Sequence, residues 1–322
     1  MTAPAPRPSP RAPRPQPVLA PLSESAVFLT LTVAPGGEDA VADLLADSGG
    51  LIRSVGFRVP DEQLSAVIGI GMDLWDRTFD RPRPRELHPF RELRGARHRA
   101  PATPGDLFVH IRARRMHPCF ELAKLLVGRL GAVAQVVDEV HGFRYFDSRD
   151  LLGFVDGTEN PVADEAAAAV VIGEQDPDAA GGTYVMIQKY LHDLGAWSGI
   201  SVEDQELAIG RRKLDDVELD DATKPADAHT TLTVVTDDDG EELAILRDNM
   251  PFGSVGSGEY GTYFVGYAAD PAVPERMLRN MVIGDPPGCT DRILDFSTAV
   301  TGGLFFVPSQ EFLDDPPPRP GR

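Results

Sequence analysis

The stretch VFLTLTV, Val27 to Val33, places Val27, Leu29, Leu31 and Val33 on one side of an extended chain and Phe28, Thr30 and Thr32 on the other. That period of two predicts a half-buried strand. Following it outward, Val41, Leu44 and Leu45 recur at helical spacing from Glu38, and Gly49 and Gly50 are expected to interrupt that helix. Ser65 to Gly71 reads as a second strand and Leu107, Val109 and Ile111 as a third. A helix carrying Phe120, Leu122, Leu125 and Leu126 follows, then an apolar stretch from Val133 to Val137 as a fourth strand. Strand, helix, strand, strand, helix, strand is the order of a split βαβ, or ferredoxin-like, unit.

After a loop region from about His141 to Gly182 the same order returns. Thr183 to Leu191 reads as a strand, Val202 to Ile209 as a helix, Thr231 to Val235 and Thr262 to Ala268 as strands, Val273 to Met281 as a helix and Leu304 to Val307 as a strand. The expected class is α+β, with two ferredoxin-like units in one chain: 23–150, and 151–312 after it. The repeat rests on element order alone, because the halves share negligible sequence identity, and a single large α+β domain would give the same order. The Pro-rich residues 1–22 and the residues 313–322, with Pro316, Pro317 and Pro318, are expected to be disordered tails.

Bulk properties narrow the function. A chain of 322 residues with 42% hydrophobic content can bury a large core. Fifty acidic residues against 31 basic ones give a net charge of −19, which repels nucleic acid and anionic membranes. No apolar run approaches the roughly 18 residues of a membrane helix, and nothing near the N-terminus resembles a signal peptide, so a cytoplasmic location is expected. Cys119 and Cys289 lie far apart and suggest neither a disulfide framework nor a thiolate metal site.

The residues with chemical potential fall in two places. Gly153 to Pro161, GFVDGTENP, is a turn by composition. Phe154 and Val155 precede Asp156 and argue that its carboxyl is partly buried, a candidate acid or base, with Glu159 the competing carboxylate. Further on, His229 follows KPADA at the edge of the strand expected from Thr231, and Arg247 and Asn249 lie in LRDNMPFG. None of the seven histidines forms an HxxxH or HExxH pair, so a multi-histidine zinc site is not supported.

GFVDGTENP at 153–161 resembles the signature of the dye-decolourising peroxidases, and the spacing to His229, Arg247 and Asn249 is similar to that of the bacterial B-type members. DRILDFSTAVTGGLFFVPS at 291–309 resembles that family's last helix and strand, so the similarity runs from about Pro21 to Phe312. The resemblance implies haem b, held mainly by the second unit. It implies a peroxidase that reduces hydrogen peroxide via a ferryl intermediate and oxidises dyes, phenols or other small one-electron donors. By residue, His229 resembles the proximal iron ligand, and Asp156, Arg247 and Asn249 the distal groups that face peroxide. Asp291 and Asp295 both remain candidates for the carboxylate behind His229, and Arg211, Arg212 and Lys213 for partners of the haem propionates. Trp75, Trp197, Tyr260, Tyr263 and Tyr267 are the aromatic residues considered as relays to a surface oxidation site. A homo-oligomer is expected. Asp314 to Arg322 does not resemble the segment by which some B-type relatives dock inside an encapsulin shell, so encapsulation is not supported. Two rivals stand beside this reading: a haem-binding or haem-trafficking protein without turnover, and a hydrolase using Asp156 and Glu159.

Overall fold

The computed structural model describes residues 12–320. The elements run β1 (Ser25–Val33), α1 (Glu38–Gly56), β2 (Ser65–Ile70), α2 (Met72–Thr78), β3 (Leu93–Arg94), β4 (Arg99–Ala100), β5 (Leu107–Ala113), α3 (Met116–Leu130) and β6 (Ala134–Phe143). Then come α4 (Ala163–Val170), β7 (Thr183–His192), α5 (Leu194–Ser198), α6 (Val202–Ile209), α7 (His229–Leu232), β8 (Leu246–Arg247), β9 (Met250–Ser254), β10 (Glu259–Ala268), α8 (Ala272–Ile283), β11 (Ser297–Ala299), β12 (Gly303–Val307) and α9 (Gln310–Asp314).

One antiparallel sheet carries the molecule, in the order β6-β1-β5-β2-β12-β7-β10-β8, with β9 also on β10 and β11 on β7. Within the first half the order is that of a ferredoxin-like unit, and the second half repeats it, with β8 and β9 sharing the place of one strand. The halves join where Phe306 of β12 pairs with Ile70 of β2. Val27, Leu29 and Leu31 pack under α1 and α3 against Leu44, Leu45, Leu122 and Leu126. Phe28 and Ala26 face the other way, into a second core shared with Tyr263, Val265 and Tyr267 of β10. The sheet curls around that second core until β6 meets β9, where Gly142 leaves space that Met250 fills. β1 is therefore buried on both faces, not on one, and even Thr30 is 5% exposed.

Other expectations also change. Helix α1 runs through Gly49 and Gly50, because its buried face of Val41, Leu44, Leu45, Ser48 and Val55 outweighs the roughly 1 kcal/mol that each glycine costs. The region from His141 holds the end of β6 and the whole of α4. Thr231 to Val235 is not a strand. α7 occupies its start, with the Thr231 hydroxyl donating to the Pro225 carbonyl and the Thr233 hydroxyl to that of His229. Threonine's strand preference yields to such local bonds.

The expected tails are ordered wherever the structure describes them; residues 1–11 and 321–322 lie outside the described residues. Gln16 is 2% exposed and its amide bonds the backbone of Ile68 and Pro308, tying the N-terminal segment to both halves. A Pro-rich segment lacks donors of its own, but a buried amide supplies them. At the other end Leu313 is buried, Arg319 pairs with Asp39, and the Pro318 carbonyl accepts from the Asp80 N–H.

Candidate haem site

On the outer face of the second half, β7 and β10 form one side of a cavity with an empty volume of about 990 Å³, counted to its open mouth. Met186, Phe264, Met277, Leu278 and Met281 make its walls apolar, and a few polar groups also line it. His229, Asp156, Arg247 and Asn249 all line it, so the four residues singled out in the sequence are brought together.

His229 begins α7, not the edge of a strand. Its carbonyl accepts from the Thr233 N–H, and its Nδ1 lies 2.7 Å from Oδ2 of Asp291. Asp291 is 0% exposed and its other oxygen accepts from the Ile293 N–H, so the carboxylate is anchored before it meets the ring. This separates the two candidates: Asp295 instead meets Arg97 at 2.6 Å and His98 at 3.4 Å. With Nδ1 engaged, His229 has Nε2 left for the cavity. His192 also lines the cavity, but its Nδ1 meets Ser297 at 2.7 Å and its Nε2 meets Thr262 at 3.0 Å. Both its nitrogens are occupied, and burial pushes its pKa down to about 4, which keeps the ring neutral.

At the same cavity, GFVDGTENP is stitched to β8. Asn160 donates from Nδ2 to the Arg247 carbonyl at 2.7 Å and accepts the Arg247 N–H on Oδ1 at 2.8 Å. Gly157 makes the turn possible with φ +84°, where a side chain would crowd Asn160. The Asn249 amide donates to both oxygens of Asp156, at 3.2 and 3.0 Å, while its own oxygen accepts the Val265 N–H at 3.0 Å. Asn249 thus turns the carboxylate to a fixed orientation. Arg247 forms no ion pair among the described residues, and its buried Nε has no hydrogen-bond partner there. Asp150 lies beside this group, its carboxyl pushed up to about 7 by burial and secondarily by the charge of Asp156. A second cavity, reaching Arg144, Tyr145 and Arg149, shares Asp156, Arg247 and Asn249 with the first.

Other sequence candidates are elsewhere. Glu159 meets Arg211 at 2.5 Å and does not line the cavity, which removes the Asp156–Glu159 pair on which the hydrolase reading rested. Arg211 is further held by Asp216, Arg212 by Asp215, and Lys213 by Gln205, so that cluster is spent on local pairs. Trp75 and Trp197 are both 2% exposed and form no surface indole. Tyr263 and Tyr267 are fully buried in the second core. Sequence reasoning gave Asn160 only a local turn role. Its place in the same nine-residue turn was the one available signal, and nothing in it named Arg247 as partner.

No three or more His, Cys, Asp or Glu among the described residues form a group that could hold a metal ion. A single free imidazole nitrogen in an apolar cavity that an unpartnered guanidinium also lines suits a metal that brings its own equatorial ligands, as iron in a porphyrin does. The two-unit fold and this cavity define a haem peroxidase.

The family model described as "Dyp-type peroxidase, N-terminal" matches residues 15–144, and "Dyp-type peroxidase, C-terminal" matches 147–312. The chain belongs to the dye-decolourising, DyP-type, peroxidase family. It is 63% identical over 307 residues to a dye-decolorizing peroxidase of Mycolicibacterium paratuberculosis, covering 95% of this chain and 87% of the relative. With the dye-decolorizing peroxidase of Rhodococcus erythropolis it shares 62% identity over 308 residues, 96% of this chain and 90% of the relative. Among solved structures, the encapsulated DyP-type peroxidase from Mycobacterium smegmatis matches with a TM-score of 0.94 and 62% identity, over 96% of this chain and all of that one. A variant of DypB from Rhodococcus jostii RHA1 in complex with heme matches with a TM-score of 0.91 and 55% identity, over 95% of this chain and 99% of that one. Haem is the cofactor, and peroxide reduction coupled to oxidation of an electron donor is the activity.

Proposed function

We propose that His229 Nε2 is the iron ligand and that Asp156, Arg247 and Asn249 act on hydrogen peroxide from the opposite face. When bound, haem supplies the redox chemistry, taking electrons from donors and giving them to peroxide. The residues supply the proton and charge control. Asp156 would hold and move the proton, taking it from one oxygen of peroxide and giving it to the one that departs as water, with haem supplying the two electrons that O–O cleavage requires. Arg247 cannot lose its proton and forms no ion pair among the described residues, so its charge is available to the negative charge developing on the departing oxygen. Asn249 holds the carboxylate still and keeps it from closing on Arg247. Behind His229, the Asp291 carboxylate draws on the Nδ1 proton and makes the ring a stronger donor. The second cavity gives peroxide a route to Asp156 that the apolar walls do not obstruct.

The observation that carries this reading is the fixed distal group: a carboxylate held by an amide beside a guanidinium with no ion-pair partner. Arg247→Leu should slow the reaction with peroxide on the order of 10²–10³-fold, about 3–4 kcal/mol, in stopped-flow absorbance traces. His229→Ala should lose haem, read as the Soret band per protein after reconstitution. Unchanged traces for Arg247→Leu and Asp156→Asn would overturn the distal assignment.

Among the described residues no helix is long and apolar enough to cross a membrane. A cytoplasmic setting, dye or phenol donors, a homo-oligomer and a haem-bearing unit spanning 151–312 beside a first unit spanning 23–150 are parts of this proposal. Encapsulation is described for the M. smegmatis relative, and docking of this chain in such a shell is a separate question from its chemistry. Co-purification with a co-expressed shell protein tests that.

A further inference from the structure

Between Arg247 and Asn249 stands Asp248, whose side chain goes the other way. While its two neighbours line the haem cavity, the Asp248 carboxylate enters the core between the two halves and forms an ion pair with Arg112 of β5. Both residues are 1% exposed. Arg112 donates as well to the Pro17 carbonyl, and His110 Nε2 lies 3.9 Å from the same Asp248 oxygen. His110 is neutral, held so by burial and by the Arg112 charge, and its Nδ1 meets the Tyr267 hydroxyl at 2.9 Å. The Arg112 Nε, Asp248 Oδ1 and His110 Nε2 atoms are buried with no hydrogen-bond partner among the described residues.

A buried ion pair is a poor stabiliser, since apolar residues of equal volume commonly serve as well or better. What it does supply is directionality. The backbone here needs that, because β8 offers only two ladder positions, Leu246 and Arg247, before a single bond from the Asp248 N–H to Val265, and β9 starts at Met250. We infer that the Arg112–Asp248 pair is a positioning device that fixes the rotation of residues 247–249 so that Arg247 and Asn249 face the haem cavity together. It makes the first unit a contributor to a site built in the second. The inference rests on the distal roles given above. Neither Arg112 nor Asp248 touches substrate.

The test replaces both charges at once, with Arg112→Met and Asp248→Leu in one haem-loaded chain, because Arg112→Met alone strands a buried charge. Haem content and thermal midpoint should stay near those of the parent, while the second-order rate with peroxide falls tenfold or more. Fluoride, which binds ferric haem and accepts hydrogen bonds from distal donors, should show a dissociation constant raised by a similar factor in the visible spectrum. Arg112→Lys with Asp248 intact should recover part of both. Adding Arg247→Leu to the double variant should cost far less than Arg247→Leu costs the parent, because the two changes act through one group. Should the double variant not fold, Arg112→Gln with Asp248→Asn, which also removes both charges but keeps side chains of similar polarity, carries the same rate and fluoride expectations. Parent-like rate and fluoride affinity, or a lowered thermal midpoint with both unchanged, would overturn the inference. A parent-like rate in Arg247→Leu itself would instead bring down the distal assignment.

Discussion

At the scale of single residues, the proximal side turns on one carboxylate. Asp291 gives one oxygen to His229 and the other to the Ile293 N–H, and has no exposure to water that could dilute its charge. Asp291→Asn keeps the shape but removes the charge, so the imidazole loses donor strength. Partners of this kind typically contribute 10–100-fold to metal affinity or activity. The expected outcome is a higher iron reduction potential in a spectroelectrochemical titration and a peroxide rate lowered by roughly that factor. Asp295→Asn, which only frees Arg97 and His98, should leave both unchanged. Nothing in the sequence separates these two acids, four residues apart in one short segment. Their difference arises from α7 lying against the first and the β3–β4 hairpin against the second.

At the scale of elements, His192 shows how the strands hold the cavity. It ends β7, and its ring meets Ser297 of β11 and Thr262 of β10, so three strands share one neutral imidazole. With its pKa lowered from 6.5 to about 4 by burial, the folded chain binds fewer protons at this site than the unfolded chain between those values. Stability therefore rises with pH through that window: the contribution is complete above about pH 6.5 and lost as pH falls toward 4. At 1.36 kcal/mol per unit the loss is about 3 kcal/mol. Asp150, raised to about 7, has the opposite slope across the whole of that window, since its folded form holds a proton the unfolded form releases. His192→Gln should remove the rising contribution and leave the Asp150 slope uncompensated, so that the urea midpoint of the variant, relative to the parent, falls along the acid limb as pH rises from about 4 to 6.5. An unchanged acid limb would show that the ring is not the group being charged. The elements most legible in the sequence were those whose pattern agrees with their packing, such as β10 and α8, while β1 was legible as a strand but not as one buried on both faces. β8 was not legible, because two residues carry no period and Thr231 to Val235 offered a better β composition in the wrong place. The residues proposed as distal were picked out through a motif, while the Asn160–Arg247 and Arg112–Asp248 bonds join positions 87 and 136 residues apart and leave no local trace.

At the scale of the whole molecule, the question is whether the two units unfold separately. They share the core that holds Phe28, Phe108, Tyr263 and Tyr267, the β2–β12 junction, and the N-terminal segment. Gln16 is the most economical probe of that union, for its amide donates to the carbonyls of Ile68 in the first half and Pro308 beyond β12, and accepts the Ile68 N–H at 2.8 Å. Gln16→Ala strands these groups in the interior and opens a gap. An unsatisfied buried donor alone costs about 1–3 kcal/mol, and the two carbonyls and lost packing bring the expected total to about 2–4 kcal/mol. Because the bonds span the halves, the loss should fall on one shared transition: fluorescence and circular dichroism should move together to a lower urea midpoint, with the slope unchanged. Two separated transitions, with only one displaced, would mean that the sheet's continuity does not make the units a single cooperative structure, and that Gln16 anchors the segment to one of them alone.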